Sequence, residues 1–599
     1  MNYTIYKDNK PKQTVAQIKS ILDNLGIEVT EDYKRHKENE VSSVRITIKG
    51  SNDTGTNGKG TTEEKALASG YAEFMERLQT NYLLNFRLKE KDEKETKLTE
   101  IPDYFESVLP KELNKKFHEL INLKRQIKQI KFEKISPPRA DEYSSETTST
   151  VPFYSLNTKK LVDIPINELQ YLQTTTGMSA GNTYEEALVQ AISELCERYS
   201  MKQILTKKIL MPEIDKKIYK NAETITKLIE FIENKGYKIT IKDASLGNKH
   251  DKSIKNPIPV ICTVFEQKSS NGESCQIRFG AHPYLYIAIE RTLTEFMQGF
   301  QIENDREKDY VNIFKDIPGT SMQDKLSDFY HSVVIFSKNN KDFSFLFSSE
   351  KDYEFNENDW IMDDYSSNKD MLEKLKKIVN DVYVRNYSFL GFPSVYTFIP
   401  ELICAKDIDE EFLDNEIKIS TIERDILLGK ELKYTADELL EICEYSLNEI
   451  YEHQISKVPI PYIAMLCAIV LKDWKKAEKF YERMKVQINY NKKYRGEEYF
   501  TNNILLEYFD LKSTYTSEEE IFSKLYKKFE NSIKKMYNIE INDFNKNIFV
   551  EFYINNITIT KILRLISKNP NILGNNSLQK LTNSVADQYK KIKIVYNII

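Results

Sequence analysis

Apolar residues recur along this chain with two periods. Val15, Ile18, Leu22 and Leu25 keep helical spacing behind Thr14-Val15-Ala16-Gln17, which has the form of a capping box, and Gly26 ends the run. A helix is predicted there. Val44, Ile46 and Ile48 then alternate with polar neighbours over Ser43 to Ile48, the period of a strand with one buried face. Helical and strand-like stretches intermix up to about Ser420, interrupted at Ser136 to Pro152 by a Ser-, Thr- and Pro-rich stretch that reads as a surface loop. The intermixing predicts an α+β catalytic region.

From about Thr435 the pattern becomes helical throughout. Leu439, Cys443, Leu447 and Ile450 mark one helix, Tyr462 to Leu471 a second and Trp474 to Ile488 a third. The pair built on Tyr462, Leu466, Ala468, Trp474, Ala477 and Phe480 resembles a tetratricopeptide hairpin, although no clean period of about 34 residues runs through it.

Length fits this division, because 599 residues exceed the roughly 250–300 at which single cores stop growing. We expect an α+β catalytic domain over residues 1–430 and an all-α, tetratricopeptide-like domain over 435–599. A 40% hydrophobic and 30% charged composition is that of a globular chain. The net charge of −5 supplies no overall basic field, which argues against nucleic acid or an anionic membrane as partner.

The six cysteines (Cys196, Cys262, Cys275, Cys404, Cys443 and Cys467) form no CxxC pair and have no His at zinc-ligand spacing, so structural zinc and a disulfide framework are not expected. Met1-Asn2-Tyr3-Thr4 leads into polar sequence, and the longest aliphatic run, Ile463 to Leu471, is far short of the roughly 18 residues of a membrane span. A cytoplasmic protein is expected.

The chemistry sits in an internal repeat. Gly60 to Leu78 and Gly181 to Tyr199 align without a gap, matching Gly60 with Gly181, Thr62 with Thr183, Glu73 with Glu194, Glu76 with Glu197 and Arg77 with Arg198. A third segment sets Ala288, Glu295, Phe296, Met297 and Gln298 against Ala66, Glu73, Phe74, Met75 and Glu76. On a helical projection Leu67, Tyr71, Phe74 and Leu78 share one side, while Ser69, Glu73, Glu76 and Arg77 share the other.

Taken singly, each segment reads as an ordinary amphipathic helix with a solvated acidic face. Taken together they read otherwise. The acidic stripes contain no Lys in a Lys-rich chain, and like charges at i,i+3 weaken a helix by about 0.2–0.5 kcal/mol. Converged, Glu73, Glu76, Glu194, Glu197 and Glu295 require cations, and Mg²⁺ suits hard oxygen ligands that it shares with phosphates. Arg77, Arg198 and Arg291 suit phosphate oxygens.

Asn57-Gly58-Lys59-Gly60 lacks the spacing and the Ser/Thr of a P-loop. Gly58 and Gly60 are expected to form a tight turn before a helix capped by Thr61 or Thr62, either as a turn alone or with Lys59 reaching a phosphate.

The blocks NGKGTTEEKALASGYAEFMERL, GMSAGNTYEEALVQAISELCERY and FGAHPYLYIAIERTLTEFMQG resemble the three signature blocks of the YcaO family, and the similarity extends over most of the chain. That resemblance implies a YcaO-type ATP-binding fold, the cofactors ATP and Mg²⁺, and phosphorylation of a backbone amide oxygen with ATP converted to ADP and phosphate. By position it assigns magnesium to Glu73, Glu76, Glu194, Glu197 and Glu295. It places ATP near Lys7, Thr14, Ser69, Ser179, Asn182, Glu186, Arg198 and Arg291, with Gln190 and Gln298 in support. Thr14, Asn182 and Thr183 have the alternative of capping helices, and Lys7 that of a solvated lysine.

Azoline-forming members of the family end in a proline-rich tail, whereas the last proline here is Pro570. The chain is similar instead to the long members described as accessory factors in β-methylthiolation of a small-subunit ribosomal protein. The partners implied are a polypeptide substrate and a radical methylthiotransferase, and a homodimer through the region after Thr435 is expected. Two other readings stand beside this one: a non-catalytic, ATP-regulated adaptor, and an azoline- or thioamide-forming enzyme of a peptide natural product.

Overall fold

The computed structural model describes residues 7–34, 42–49, 55–80, 94–96, 111–135, 148–250, 252–269, 272–303, 335–337, 343–362, 366–388, 390–403, 410–428 and 434–449, with scattered positions from 454 to 524. The element order is α1 (Pro11–Asn24), β1 (Val29–Lys34), β2 (Ser42–Ile48), β3 (Gly55–Gly60) and α2 (Glu63–Gln79). Next come β4 (Lys94–Thr96), α3 (Lys111–Ile135), β5 (Thr148–Ser155), β6 (Leu161–Pro165), α4 (Ile166–Gln173), β7 (Met178–Ala180) and α5 (Tyr184–Lys207). A third group holds α6 (Lys216–Tyr219), α7 (Glu223–Asn234), β8 (Tyr237–Asp243), β9 (Val260–Ser269), β10 (Gly272–Ala281), α8 (Leu285–Glu303) and β11 (Ile335–Ser337). The chain continues as α9 (Asn368–Lys376), β12 (Tyr383–Asn386), β13 (Ser394–Phe398), α10 (Glu410–Leu428) and α11 (Ala436–Glu449).

These elements make the α+β fold expected from the sequence, with three antiparallel sheets carrying the site helices. β1, β2 and β3 form the first sheet, covered by α1 and α2 around Ile18, Leu22, Val44, Ile46, Tyr71 and Phe74. The third runs in the order β11-β10-β9-β8 and buries Phe265 against Phe296 of α8, their rings stacked at 3.9 Å. The central sheet has the order β4-β5-β12-β13-β7, with β6 paired to β5. Its last pairing, Val395 opposite Ser179, uses a strand far along the chain to fix β7 just ahead of α5.

Gln79, fully buried at the end of α2, ties the first sheet to the central one: it donates to the Phe392 carbonyl at 2.8 Å and Ser394 Oγ at 2.6 Å, and accepts from the Leu390 N–H at 2.9 Å. A buried amide satisfied in this way fixes register as well as energy.

Three expectations change. The first helix begins at Pro11 rather than Thr14: Pro at the first turn needs no N–H, and Gln13 Oε1 accepts the Lys10 N–H at 3.1 Å. Gly26 does end it, at φ +68°. Gly58 and Gly60 lie in β3 rather than in a tight turn. The expected loop gives way at Thr148 to β5, which runs through Pro152; Ser136 and the positions up to 147 lie outside the described residues.

Thr435 starts α11 with a reciprocal cap, its N–H donating to Glu438 Oε2 at 2.8 Å and the Glu438 N–H to its hydroxyl at 3.3 Å; Leu439 and Cys443 are buried as their spacing predicts. The tetratricopeptide hairpin and the dimer expected beyond it lie, apart from isolated positions such as buried Ala464, Ala468 and Phe480, outside the described residues. Among the described residues no helix is long and apolar enough to cross a membrane.

Candidate ATP and magnesium site

The sequence repeat is also a repeat in space. α2, α5 and α8 start at equivalent positions, each just behind a strand: β3, β7 and β10. Thr62 and Thr183 are the caps of the first two, accepting the N–H of Lys65 at 3.2 Å and of Glu186 at 3.1 Å.

The glycines are there for closeness. A Cβ on Gly58 would lie 2.0 Å from the Ala66 carbonyl oxygen, and one on Gly280 2.6 Å from that of Ala288, the equivalent atom of the third copy. A Cβ on Gly60 or Gly181 would lie 2.7 Å from the amide nitrogen of Ala66 or Ala187, again an equivalent pair. Strand and helix therefore touch backbone to backbone, and each helix start is held against its sheet.

The three helix starts surround one cavity of about 1260 Å³. Its lining includes Lys7, Thr14, Ser69, Ser179, Asn182, Glu186, Gln190, Arg198 and Arg291, and the carboxylates Glu73, Glu76, Glu194, Glu197 and Glu295, which are all the residues assigned from the sequence except Gln298. The side chain of Gln298 lies outside the described residues.

One wall is a hydrogen-bonded chain between the N-terminal segment and the start of α5. Thr14 Oγ1 donates to Asn182 Oδ1 at 2.7 Å, Asn182 Nδ2 donates to Glu186 Oε2 at 2.9 Å, and Lys7 Nζ pairs with Glu186 Oε1 at 2.9 Å. Thr14 thus reaches across to α5 instead of capping α1. Burial of Glu186 favours its neutral form, but Lys7, the Asp8 N–H and Asn182 outweigh that and hold the carboxyl below its ordinary range. Opposite, Arg291 donates through Nη1 to the Ala281 carbonyl at 2.7 Å and through Nη2 to Gln190 Oε1 at 2.6 Å.

Between these walls lie the carboxylates. Burial pushes Glu76 up to about 8, with Arg77 opposing and Glu73 and Glu194 adding to the rise. Glu73 and Glu194 are raised as well, by burial first, against the pull of Arg77 and Arg198 respectively. The chain's own cations share this space: Arg77 stands 3.1 Å from Glu76 and 3.7 Å from Glu73, and Lys59 pairs with Glu295. Burial and Arg291 push Lys59 down to about 7, against Glu197 and Glu73.

Among the described residues no three carboxylate, His or Cys groups close into a metal cage. Mg²⁺ keeps some of its waters and takes phosphate oxygens beside carboxylates, so it does not require a closed protein cage. The buried polar atoms suit a ligand too: Ser179 Oγ and Glu290 Oε2 have no hydrogen-bond partner among the described residues. Such a lining can take a polyanion and divalent cations together.

Among the cavity residues that the sequence does not single out are His282 and Glu290. His282 was within reach: carried back toward its strand, the third copy of the repeat sets Gly280 on Gly58 and His282 on Gly60. Glu290 stands where the other copies have Ala68 and Val189, so the repeat gives no signal for it.

A cavity lined in this way defines a class of sites for polyanions with divalent cations. A family model described as YcaO cyclodehydratase, ATP- and Mg²⁺-binding, matches residues 57–403, more than half of the 599, and the chain belongs to the YcaO family. ATP and Mg²⁺ are the cofactors that membership assigns to it. The ribosomal protein S12 methylthiotransferase accessory factor YcaO of Escherichia coli is 29% identical over 454 residues, covering 73% of this chain and 72% of that one. An uncharacterized protein of Haemophilus influenzae is 27% identical over 405 residues, covering 66% and 65%. Among solved structures, YcaO from Methanopyrus kandleri bound with AMPPCP and Mg²⁺ is similar at a TM-score of 0.41 and 16% identity, over 67% of this chain and 96% of that one.

Proposed function

We propose that this protein uses ATP and Mg²⁺ to activate a backbone amide oxygen of a polypeptide by phosphorylation, as an accessory factor in β-methylthiolation of a small-subunit ribosomal protein. The observation that carries the reading is the gathering of the five repeat carboxylates with Lys7, Arg198 and Arg291 around one cavity. The similarity to the E. coli ribosomal protein S12 methylthiotransferase accessory factor supports that substrate class and a methylthiotransferase as partner.

Bound Mg-ATP supplies the phosphoryl group and the charge that neutralises it in transfer. The chain's own groups do the holding. Glu73, Glu76, Glu194, Glu197 and Glu295 hold the metal ions. Lys7, Arg198 and Arg291 take phosphate oxygens, Arg291 being kept in place by Gln190 and the Ala281 carbonyl. Thr14, Asn182 and Glu186 fix the nucleotide through the bonds that already join them, Ser69 and Ser179 adding hydroxyls. Residues 1–430 form the catalytic unit in this reading, and the region from 435 onward pairs two copies and docks the partner.

The test uses a candidate peptide with ¹⁸O in its backbone carbonyl. If that oxygen takes the phosphoryl group and leaves with it after nucleophilic attack, label appears in inorganic phosphate alongside ADP, dependent on peptide and magnesium. Label kept in the peptide, with phosphate oxygen drawn from water, overturns the reading and leaves the ATP-regulated adaptor in its place.

A further inference from the structure

His282 holds, in the third copy of the repeat, the position that Gly60 and Gly181 hold in the other two. The substitution brings an imidazole into the cavity wall, 4% exposed. No Ser or Thr stands at the capping position of α8 either: where Thr62 and Thr183 cap their helices, the third copy has Tyr284.

The turn fixes the state of the ring. The Tyr284 backbone N–H donates to His282 Nδ1 at 3.1 Å, and a backbone N–H can only donate, so Nδ1 is the unprotonated nitrogen. Nε2, on the opposite edge, carries the proton of the neutral imidazole. Burial first, then the charges of Arg291 and Lys7, keep the ring well below the ordinary imidazole range and so neutral at physiological pH. Those two cations are on the phosphate side of the proposed site. A neutral N–H donor in a cavity wall shared with two cations adds a directed hydrogen bond to an anion without adding charge repulsion.

We propose that His282 is a nucleotide-binding residue whose Nε2–H donates to a phosphate oxygen of the ATP held between Lys7 and Arg291. The inference rests on the nucleotide reading of the cavity and assigns within it a residue that the repeat carboxylates and arginines leave out. The local role of the ring, accepting the Tyr284 N–H, is separable from this one. Asn in place of His keeps an acceptor near Nδ1 and has no group at Nε2, whereas Gln places an amide N–H near Nε2.

Mg-ATP, Mg-ADP and adenosine are titrated calorimetrically into the full chain, into His282→Asn and into His282→Gln, with the melting temperature of each measured alongside. A hydrogen bond to a charged oxygen corresponds to a loss of about ten- to a hundredfold in affinity. His282→Asn should lose that much for Mg-ATP with an unchanged melting temperature and unchanged adenosine affinity, and His282→Gln should stay within about threefold of the parent. Equal Mg-ATP affinity in His282→Asn and the parent overturns the inference, as does an equal loss in both variants or a matching loss for adenosine. A parent that takes up no Mg-ATP overturns the nucleotide reading and this inference with it.

Discussion

The ammonium of Lys59, on the strand ahead of the first repeat helix, pairs with the carboxylate of Glu295 on the third. In its protonated form, which burial disfavours, it lends a positive charge to a cluster that the sequence supplies with five carboxylates, and its pull reaches Glu73 on the first helix as well as Glu295 on the third. Lys59→Met leaves that cluster with one counter-ion fewer. With side chains 27% and 43% exposed, and with burial already disfavouring the charged ammonium, the direct change in stability is small, between nothing and about 1 kcal/mol. The larger effect is on metal dependence: Mg²⁺ should raise the melting temperature of Lys59→Met by more than it raises that of the parent. Equal Mg²⁺-induced shifts in scanning fluorimetry would show that Lys59 does not compensate the cluster.

Glu73→Gln and Glu197→Gln test the carboxylates themselves. An amide has the shape of the carboxyl but cannot replace a hard anionic ligand. Because burial already raises Glu73, neutralising it relieves desolvation, so its fold should persist. Both variants should lose Mg²⁺-dependent ATP binding by at least about a hundredfold while melting near the parent. Unchanged calorimetric affinity for Mg-ATP in both would sink the magnesium assignment.

How far the site could be read depended on which interactions were local. Helix faces and the Thr62 and Thr183 caps follow from spacing, since a helix face is a property of its own residues, whereas the gathering of the repeat glutamates depends on how three helices pack. The capping box at Thr14 does not start the helix because the segment holds two start signals, and the fixed φ of Pro11 wins. Gly58 reads as a turn because glycine more often supplies conformational freedom than closeness, and only the packed helix reveals the Ala66 carbonyl beside it. Nothing local announces that Val395 will pair with Ser179, since that contact depends on sheet order.

Gly280→Ala puts the closeness to measurement. The new Cβ would stand 2.6 Å from the Ala288 carbonyl oxygen and 2.9 Å from Thr292 Cγ2, so β10 and α8 must part. Overpacking of this kind costs about 1–3 kcal/mol. Arg291 Cβ, 3.1 Å from the same point, is carried with the helix. The variant should melt several degrees lower and bind Mg-ATP more weakly, with the ATP loss persisting at temperatures where it is fully folded. Parent-like melting would mean that strand and helix have slack.

Asp243, 1% exposed at the end of β8, supplies the pH dependence. Burial pushes its carboxyl from 3.8 up to about 7, even though the Ser245 N–H and hydroxyl both donate to it at 3.0 Å. Below about pH 4 the group is protonated folded and unfolded, and it costs the fold nothing. Between about pH 4 and 7 the unfolded chain has released the proton that the folded chain keeps, so stability falls as pH rises; above about 7 both states are ionised and the penalty is complete. The penalty at alkaline pH is on the order of a few kcal/mol. Asp243→Asn removes the charge while its amide oxygen still accepts the Ser245 N–H and its amide nitrogen donates to the Ser245 hydroxyl oxygen. Relative to the parent, the variant should therefore gain more stability at pH 8 than at pH 5, read as the difference in denaturation midpoint at each pH. An equal difference at the two values would mean that Asp243 is already ionised in the fold at pH 5.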